Sequence, residues 1–208
     1  MLQKTPTLRE ENARATRGTL VATARELFAE RGFADAGIEE IAARARVTTG
    51  ALYHHFGSKR GLFRAVAEAM EAELMGRAIE IGNQHGDSWK GLESAIAVTL
   101  DSGLARDYQQ IILRDAPNVI GASEWRAIED QYSLGMLRDV VEAMMGNGII
   151  SSGSPDMVTR TLVAVIGELA VSIANAEDPP SARREADRLI RRILAAISTE
   201  LAAVSTEG

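Results

Sequence analysis

Residues 38 to 63, IEEIAARARVTTGALYHHFGSKRGLF, decide the fold of this chain. The stretch begins with a short amphipathic segment, passes through a tight turn, and continues into a second short segment rich in hydroxyl and imidazole groups. Gly57-Ser58 then favours the end of one helix and the capped start of the next. Two short helices joined by a tight turn form a helix-turn-helix, so the stretch predicts a DNA-binding surface.

The rest of the chain is predicted to be helical as well, because no long segment alternates with the period of a β-strand. The fold class is therefore all-α. Pro117 and Gly121 are expected to break the chain, and residues 82–88, GNQHGDS, are the expected hinge. The nine predicted helices cover about 16–31, 38–45, 48–56, 59–82, 89–103, 104–115, 123–145, 155–175 and 182–204.

The composition bounds the chemistry. Cys is absent, which excludes disulfides, thiolate metal sites and Cys nucleophiles. The N-terminal residues contain no apolar run of the kind found in signal peptides. Apolar stretches such as 162–174 are interrupted by Gly167, Glu168 and Ser172, and are expected to be too short to span a bilayer. We expect a soluble cytoplasmic protein without a membrane partner.

Charge is distributed unevenly along the chain. The net charge of the whole chain is −6, yet residues 1–60 hold ten Lys/Arg against seven Asp/Glu, a net charge of +3. A basic N-terminal part on an acidic remainder binds phosphates locally while the remainder repels them. The distribution gives mild support to DNA binding.

The second short helix separates an inward face from an outward face. At 100° per residue, Leu52 and Phe56 share one face, on which Ile41 packs. Gly50, Tyr53 and His54 point away from it, with Thr49 and His55 at the flanks. This outward face offers short hydrogen-bond donors and a bare backbone in place of Lys and Glu, as expected of a surface that meets phosphates and base edges.

The region resembles the DNA-binding part of the tetracycline-repressor (TetR) family of bacterial transcription regulators. The resemblance covers about residues 16 to 63. It rests on Ala24, Leu27, Phe28, Gly32, Phe33, Ile41, Ala42, Gly50, Leu52, Tyr53, His55, Phe56, Ser58, Lys59 and Leu62.

The resemblance implies roles for individual residues. Thr49 and Gly50 would face base edges, and Tyr53, His54, His55 and Lys59 would hold phosphates. Arg46 in the turn and Arg17 on the first helix are either phosphate ligands or solvated charges. The predicted DNA-binding residues are Thr48, Thr49, Gly50, Tyr53, His54, His55, Lys59, Arg46 and Arg17.

Alternatives remain open for several of these residues. The ring of Tyr53 either contacts a phosphate or packs on the fourth helix, and Lys59 is either an anion ligand or a solvated charge. His54 and His55 are not expected to bind metal, because adjacent helix residues diverge by 100°. Residues 1–15 are either an arm that touches DNA or a frayed end.

The chain departs from the family at one place. Thr followed by Ser or Thr usually precedes the second helix, but here Ala36 and Gly37 occupy those positions. Asp35 or Gly37 is left to cap the helix, and we expect a lower affinity per DNA half-site.

The resemblance also implies a division of the chain. Residues 1–60 would form the helix-turn-helix domain, and residues 61–208 a helical effector-binding and dimerisation domain, joined through the fourth helix. The last two helices would form a four-helix interface in a homodimer, the alternative being an intramolecular core. The stripe predicted for the last helix consists of Ala186, Leu189, Ile190, Ile193, Leu194, Ile197 and Leu201.

A small-molecule pocket is predicted in the second domain. Its aromatic residues line such a pocket or belong to an ordinary core. Glu168 is expected to be buried, as a ligand anchor, as a hydrogen-bonding group across the dimer, or in an ion pair with Arg114 or Arg138. The predicted lining consists of Tyr108, Ile112, Trp125, Tyr132, Met136, Glu168 and Ser172.

These features predict a homodimeric repressor that a small, mainly apolar effector releases from a palindromic operator in double-stranded DNA. An activator or a ligand-independent DNA-binding dimer is the alternative. A helical carrier or enzyme is less favoured, because the sequence shows no nucleophile–base pair, metal-ligand spacing or phosphate loop. We expect no catalytic residues, metal or cofactor.

Overall fold

The computed structural model describes residues 7–151 and 153–198, and over these residues the predicted all-α fold is confirmed. Two of the nine helices, α6 and α7, contain a π-helical segment. The helices are α1 Leu8–Asp35, α2 Ile38–Arg44, α3 Thr49–Phe56, α4 Lys59–Asn83, α5 Ser88–Ser102, α6 Arg106–Tyr108 with Gln109–Asp115 (π) and Ala116–Val119, α7 Ala122–Glu129 with Asp130–Leu134 (π) and Gly135–Gly146, α8 Pro155–Asn175, and α9 Pro179–Ile197.

Helix α1 begins eight residues earlier than predicted. Thr7 and Glu10 form a reciprocal capping box, in which the Thr7 amide donates to Glu10 at 2.7 Å. The alternative of a frayed end is therefore wrong for residues 8–15, whereas contact of this segment with DNA stays a prediction. Residues 1–6 lie outside the described part. Gly32 interrupts the helix with a φ of +74°, as predicted for a helix stop.

A tight corner joins α3 to α4, as the Gly57-Ser58 pair predicts. Gly57 adopts a left-handed φ of +72°, and the Ser58 hydroxyl accepts from the Gly61 amide at 2.9 Å. A Cβ on Gly61 would lie 2.1 Å from the carbonyl oxygen of Phe56. The corner therefore brings the backbones of α3 and α4 closer than a side chain at residue 61 permits.

Three phenylalanines hold α1 and α4 together. The ring of Phe63 meets the rings of Phe28 and Phe33 edge-on, at centroid distances of 5.1 and 5.2 Å. Ile111 and Ile112 of α6 belong to the same buried cluster. The core of the helix-turn-helix therefore continues beyond residue 60 into α6 and α7.

A second core joins α5, α7, α8 and α9. On α9, Ala186, Ile190 and Leu194 face this core, whereas Leu189 is 46% exposed. Three of the seven residues of the stripe predicted for dimerisation are thus buried within the chain. Leu201 and the predicted end of α9 near residue 204 lie outside the described residues.

Helix α8 is longer than the apolar stretch 162–174, which the sequence predicted to be too short to span a bilayer. The helix begins at Pro155, seven residues before Leu162, and its 21 residues are long and apolar enough to cross a bilayer by length and composition. Core helices also pass that test. Val158, Leu162 and Ile173 of α8 are buried in the second core, and about one-third of the apolar window is buried in all.

Pro117 does not end a helix, contrary to prediction, because α6 continues to Val119. The π-helical turns preceding Pro117 bond each amide five residues back, and the Ala116 amide donates to the Ile111 carbonyl. Pro117 donates no such bond, and the Asn118 side-chain amide donates to the Arg114 carbonyl at 3.0 Å in the next turn.

The α3–α4 corner yields a stability prediction. Gly61→Ala is expected to lower the free energy of unfolding by an amount near the top of the ~1–3 kcal/mol typical of overpacking, because its methyl meets backbone. Gly76→Ala in the same helix meets nothing within 4 Å, and is expected to raise it by about 1 kcal/mol. Urea denaturation of both variants at one protein concentration measures the difference. Equal effects would contradict the close approach.

Candidate nucleic-acid interface and internal cavity

The orientation of α3 agrees with its sequence pattern. Thr48 caps the helix, its hydroxyl accepting from the Ala51 amide at 3.1 Å. Leu52 is buried in the first core, whereas Gly50, Tyr53 and His54 are exposed. Tyr53 is 48% exposed. A half-buried tyrosine normally packs its apolar ring on the protein and keeps its hydroxyl in water, so we expect the hydroxyl to be accessible to a partner outside the chain.

Two exposed arginines flank this helix. Arg46, in the turn between α2 and α3, has a left-handed φ of +57°, a conformation that costs a non-glycine residue about 1–2 kcal/mol. The Arg17 guanidinium of α1 lies 5.2 Å from the ring centroid of Phe56 in α3. Arg17 therefore places a positive charge beside α3, and Arg46 lies in the turn that precedes α3.

Lys59 joins α4 to the end of α1. Its Nζ donates to the Ala34 carbonyl at 3.0 Å and lies 4.7 Å from the Phe33 ring centroid. Burial lowers the pKa of Lys59, and nearby Asp35 opposes the shift. An ammonium group has three donors, so one bond to Ala34 leaves others for a phosphate.

The start of α2 settles which residue replaces the missing cap. Gly37 is the N-cap and makes no side-chain hydrogen bond, while Asp35 ends α1. Glu39 and Glu40 lie in the first turn, where their negative charge stabilises the positive end of the helix dipole. The hydroxyl that family members offer at this point is therefore absent.

The described residues contain no group of three or more His, Asp or Glu side chains placed to hold a metal ion. The rings of His54 and His55 diverge, with centroids 5.7 Å apart and planes inclined at 63°.

A cavity of about 760 Å³ lies among α4, α5, α6, α7 and α8. Four of the predicted residues line it: Tyr108, Trp125, Met136 and Glu168. The other three do not. Ile112 is buried in the first core, Tyr132 packs against that core, and Ser172 is exposed on α8. The remaining walls are mainly apolar and include Leu74, Met75, Leu92, Ile96, Leu134, Val163 and Ile166.

The deepest polar group in the cavity wall is Glu71 of α4, which is 3% exposed. The Tyr108 hydroxyl donates to its Oε1 at 2.9 Å. Burial raises the pKa of Glu71 to about 7; the bond from Tyr108 opposes the rise, and Glu129 adds to it. Burial also raises the pKa of Glu129, which lines the same cavity.

Sequence reasoning missed Glu71, although a signal was present. The residue lies on one helical face with Ala67, Leu74 and Ala78, all of them buried. A lone carboxyl on an apolar helix face is unusual, because its burial is costly unless it is neutralised or paired.

Glu168 occupies a different environment from the one predicted. It lines the cavity but is exposed on α8 rather than buried. Arg114 bonds Gln110, and Arg138 bonds Glu142 at 2.8 Å with Asp156 at 3.8 Å. The predicted ion pair of Glu168 with Arg114 or Arg138 is therefore wrong.

Polar contacts connect the cavity wall to the helix-turn-helix. Asp115, at the end of the π-helical segment of α6, accepts from the Phe33 amide at 2.8 Å. Arg25 of α1 donates to Asp107 of α6 and Glu73 of α4, at 2.6 and 2.7 Å. Arg60 at the start of α4 donates to the Ile120 carbonyl at 2.7 Å.

Comparison with known proteins agrees with this geometry. Residues 20–66 match the family model described as bacterial regulatory proteins, tetR family, and residues 89–197 match that of the tetracyclin repressor-like C-terminal domain. The chain is 31% identical to the transcriptional repressor BepR of Brucella suis, over 74% of this chain and 78% of that one. It is 27% identical to the transposon Tn10 TetC protein of Escherichia coli, over 81% and 85%. A TetR-family transcriptional regulator from Pectobacterium atrosepticum superposes with a TM-score of 0.80 at 29% identity, covering 93% of this chain and 98% of that one.

The environment of Glu71 predicts a pH-dependent stability. The unfolded chain loses this proton near pH 4.5, whereas the folded chain keeps it to about pH 7. The free energy of unfolding is therefore expected to fall across that window and to stay lower above it. Glu71→Gln removes the titration, so its stability relative to the wild type should rise through the window, by on the order of 3 kcal/mol at pH 8.

Urea denaturation between pH 4 and pH 8 measures this difference. The matched control is Glu80→Gln, the same change at an exposed position on α4. A stability difference between Glu71→Gln and the wild type that stays constant with pH would contradict the assignment.

Proposed function

Because the chain belongs to the tetracycline-repressor (TetR) family of bacterial transcription regulators, we propose that it is a cytoplasmic, homodimeric repressor that a small-molecule effector releases from a palindromic operator. The observation that carries the DNA-binding part is the outward face of α3. Gly50, Tyr53 and His54 are exposed there, next to Arg46 and on a helix fixed by Leu52.

We assign the DNA contacts by position on this surface. Thr49 and Gly50, in the first turn of α3, meet base edges in the major groove, where a small residue permits close approach. The phosphate ligands surround them and fix the protein on the duplex without reading sequence. They are Thr48, Tyr53, His54, His55, Lys59, Arg46 and Arg17.

The dimer is proposed to form through α8 and α9. Helix α8 is predominantly apolar, yet much of it is not buried within the chain. On α9, Leu189 exposes an apolar side chain next to the buried Ile190. Pairing two such helix pairs covers this surface, and it places two recognition helices at a spacing of about 34–36 Å, one turn of DNA.

Effector binding is proposed to act through α4 and α6, which both line the cavity and both contact the helix-turn-helix. Phe63 packs in the first core and Glu71 lines the cavity, eight residues or about 12 Å apart on one helix. On α6, Tyr108 lines the cavity and Asp115 holds the Phe33 amide. A ligand that favours a different arrangement of these helices therefore changes the spacing between the two recognition helices of the dimer, and with it the affinity for DNA.

The relatives that the chain matches are regulators rather than enzymes, which points away from catalysis. Activation instead of repression remains the second possibility for the same fold, since the sign of regulation depends on where the operator lies relative to the promoter. Binding to the protein's own upstream DNA near the promoter favours repression.

DNA binding is tested by fluorescence anisotropy on the upstream intergenic DNA at several salt concentrations. We expect two protomers per site, and at least tenfold weaker binding for Tyr53→Ala because a phosphate ligand is lost. Arg46→Gly should weaken binding without loss of stability, because glycine relieves the left-handed strain. The slope of log K against log salt should become shallower by about 0.9 for each phosphate contact removed.

Lys90→Ala, which removes an exposed charge on α5, is the control and should leave the salt slope unchanged. Binding to the upstream DNA that is no tighter than to random DNA would call for selection of binding sites from random sequence. If that selection returns no preferred site either, the DNA-binding proposal is wrong.

Dimerisation is tested with Leu189→Glu. A carboxylate in the proposed interface is desolvated without a partner, so we expect monomers at concentrations where the wild type is dimeric. Sedimentation equilibrium measures the association. Leu104→Glu makes the same change at another exposed leucine, and should remain dimeric. Unchanged association of Leu189→Glu would place the interface elsewhere.

A further inference from the structure

We propose that the cavity selects amphiphilic organic cations, molecules with an apolar body and a protonated amine, and that the amine pairs with the carboxylate of Glu71. The inference rests on the proposed function, because it names the class of effector that occupies the regulatory cavity. The observation behind it is a buried carboxyl group, Glu71, that accepts a hydrogen bond from Tyr108 but has no charge partner among the described residues.

Glu71 is placed to bind a ligand group. It is 3% exposed, and within the described residues its side chain accepts one hydrogen bond, from the Tyr108 hydroxyl to Oε1. No Lys or Arg forms an ion pair with it among those residues, although Arg25 lies on the adjoining helix α1. The guanidinium of Arg25 is already held by Asp107 and Glu73.

The other charged groups that line the cavity favour a cation in the interior. Helix α7 contributes Glu129, Asp130 and Arg126, and α8 contributes Glu168 and Arg160. Both arginines are exposed, and Arg160 pairs with Asp156 at 3.1 Å. Helices α4 and α6 add Glu71 and the Tyr108 hydroxyl, while α5 contributes only uncharged residues to the lining. The cavity lining therefore contains four carboxyl groups and two guanidinium groups, and both guanidinium groups are exposed to solvent.

The ranking of ligand classes follows from these groups. An anion entering the interior meets carboxyl groups and would be desolvated without a partner. A neutral ligand can donate at most a hydrogen bond to Glu71 and leaves its carboxylate without a charge partner. A cation supplies the missing charge partner to a carboxyl group that is 3% exposed, where the attraction is stronger than at a surface.

The apolar walls set the rest of the ligand. Leu74, Met75, Leu92, Ile96 and Trp125 line the same cavity as Glu71. Its volume of about 760 Å³ falls within the roughly 300–1,000 Å³ usual for drug-sized ligands. Such walls bind an aliphatic or aromatic body by burial. A fully polar cation gains nothing from them.

Binding of a cation should release a proton. Near pH 7 about half of the Glu71 side chains are protonated, and the ion pair needs the carboxylate. Cation affinity should therefore rise with pH until Glu71 is ionised. With this ionisation, the affinity at pH 8 is expected to be about tenfold higher than at pH 6.

The test uses three probes that share one body and differ in the polar group: 4-phenylbutylamine, 4-phenylbutan-1-ol and 4-phenylbutyrate. The amine stays protonated from pH 6 to pH 8. Isothermal titration of the full chain in two buffers of different ionisation enthalpy gives the affinity and the number of protons released. Fluorescence of Trp125, which lines the cavity, reports binding independently.

We expect the amine to bind at least tenfold more tightly than the alcohol at pH 8, with the butyrate weakest, and with proton release at pH 7. Glu71→Gln should abolish the pH dependence and bring the amine to the affinity of the alcohol. Glu80→Gln, exposed on α4, should bind as the wild type does.

Three outcomes would overturn the inference: equal binding of amine and alcohol, pH dependence that persists in Glu71→Gln, or no amine binding up to its solubility limit. The wild-type pH series decides the question even if Glu71→Gln fails to fold. Operator release is measured separately by anisotropy. Release by the alcohol alone would reject the cation preference and keep the regulator, whereas amine binding without release would keep the preference and reject the effector role.

Discussion

The packing of one helix on two sides holds this molecule together. Helix α4 carries Phe63 into the phenylalanine cluster of the helix-turn-helix, and two turns later it carries Glu71 into the cavity wall. A helix is stiff over that length, because each backbone bond supports the next. Helix α4 therefore links the core of the helix-turn-helix directly to the cavity wall.

The first core extends this coupling beyond α4. Ile111 and Ile112 of α6 are buried with the residues of the helix-turn-helix, while Tyr108, one turn earlier, reaches the cavity. Asp115 and Arg60 add hydrogen bonds at the same junction. Part of α6 is π-helical, a form that is wider than an α-helix and often found at functional sites. The helix-turn-helix thus shares its core with helices that also line the cavity.

Local signals account for what sequence predicted well. Gly57 and Ser58 determine the α3–α4 corner through backbone conformation and capping, and the spacing of Leu52 and Phe56 orients α3. Two predictions of helix ends were wrong, and both errors also have local causes. A capping box at Thr7 extended α1, and a π-helical segment carried α6 past Pro117. Tyr132 and Ser172 share helices with cavity residues, yet helical spacing alone does not tell which face meets a cavity.

The sequence by itself determined the all-α class, the exposed face of α3 and the family, because caps, periodicity and local motifs are properties of neighbouring residues. Only the tertiary structure decided where the cavity lies, since its walls come from five helices. It alone placed Glu71 beside Tyr108 and Glu129, and Glu168 at the surface. The ionisation of a carboxyl group depends on the water and the charges around it, and those are set by residues distant in the chain.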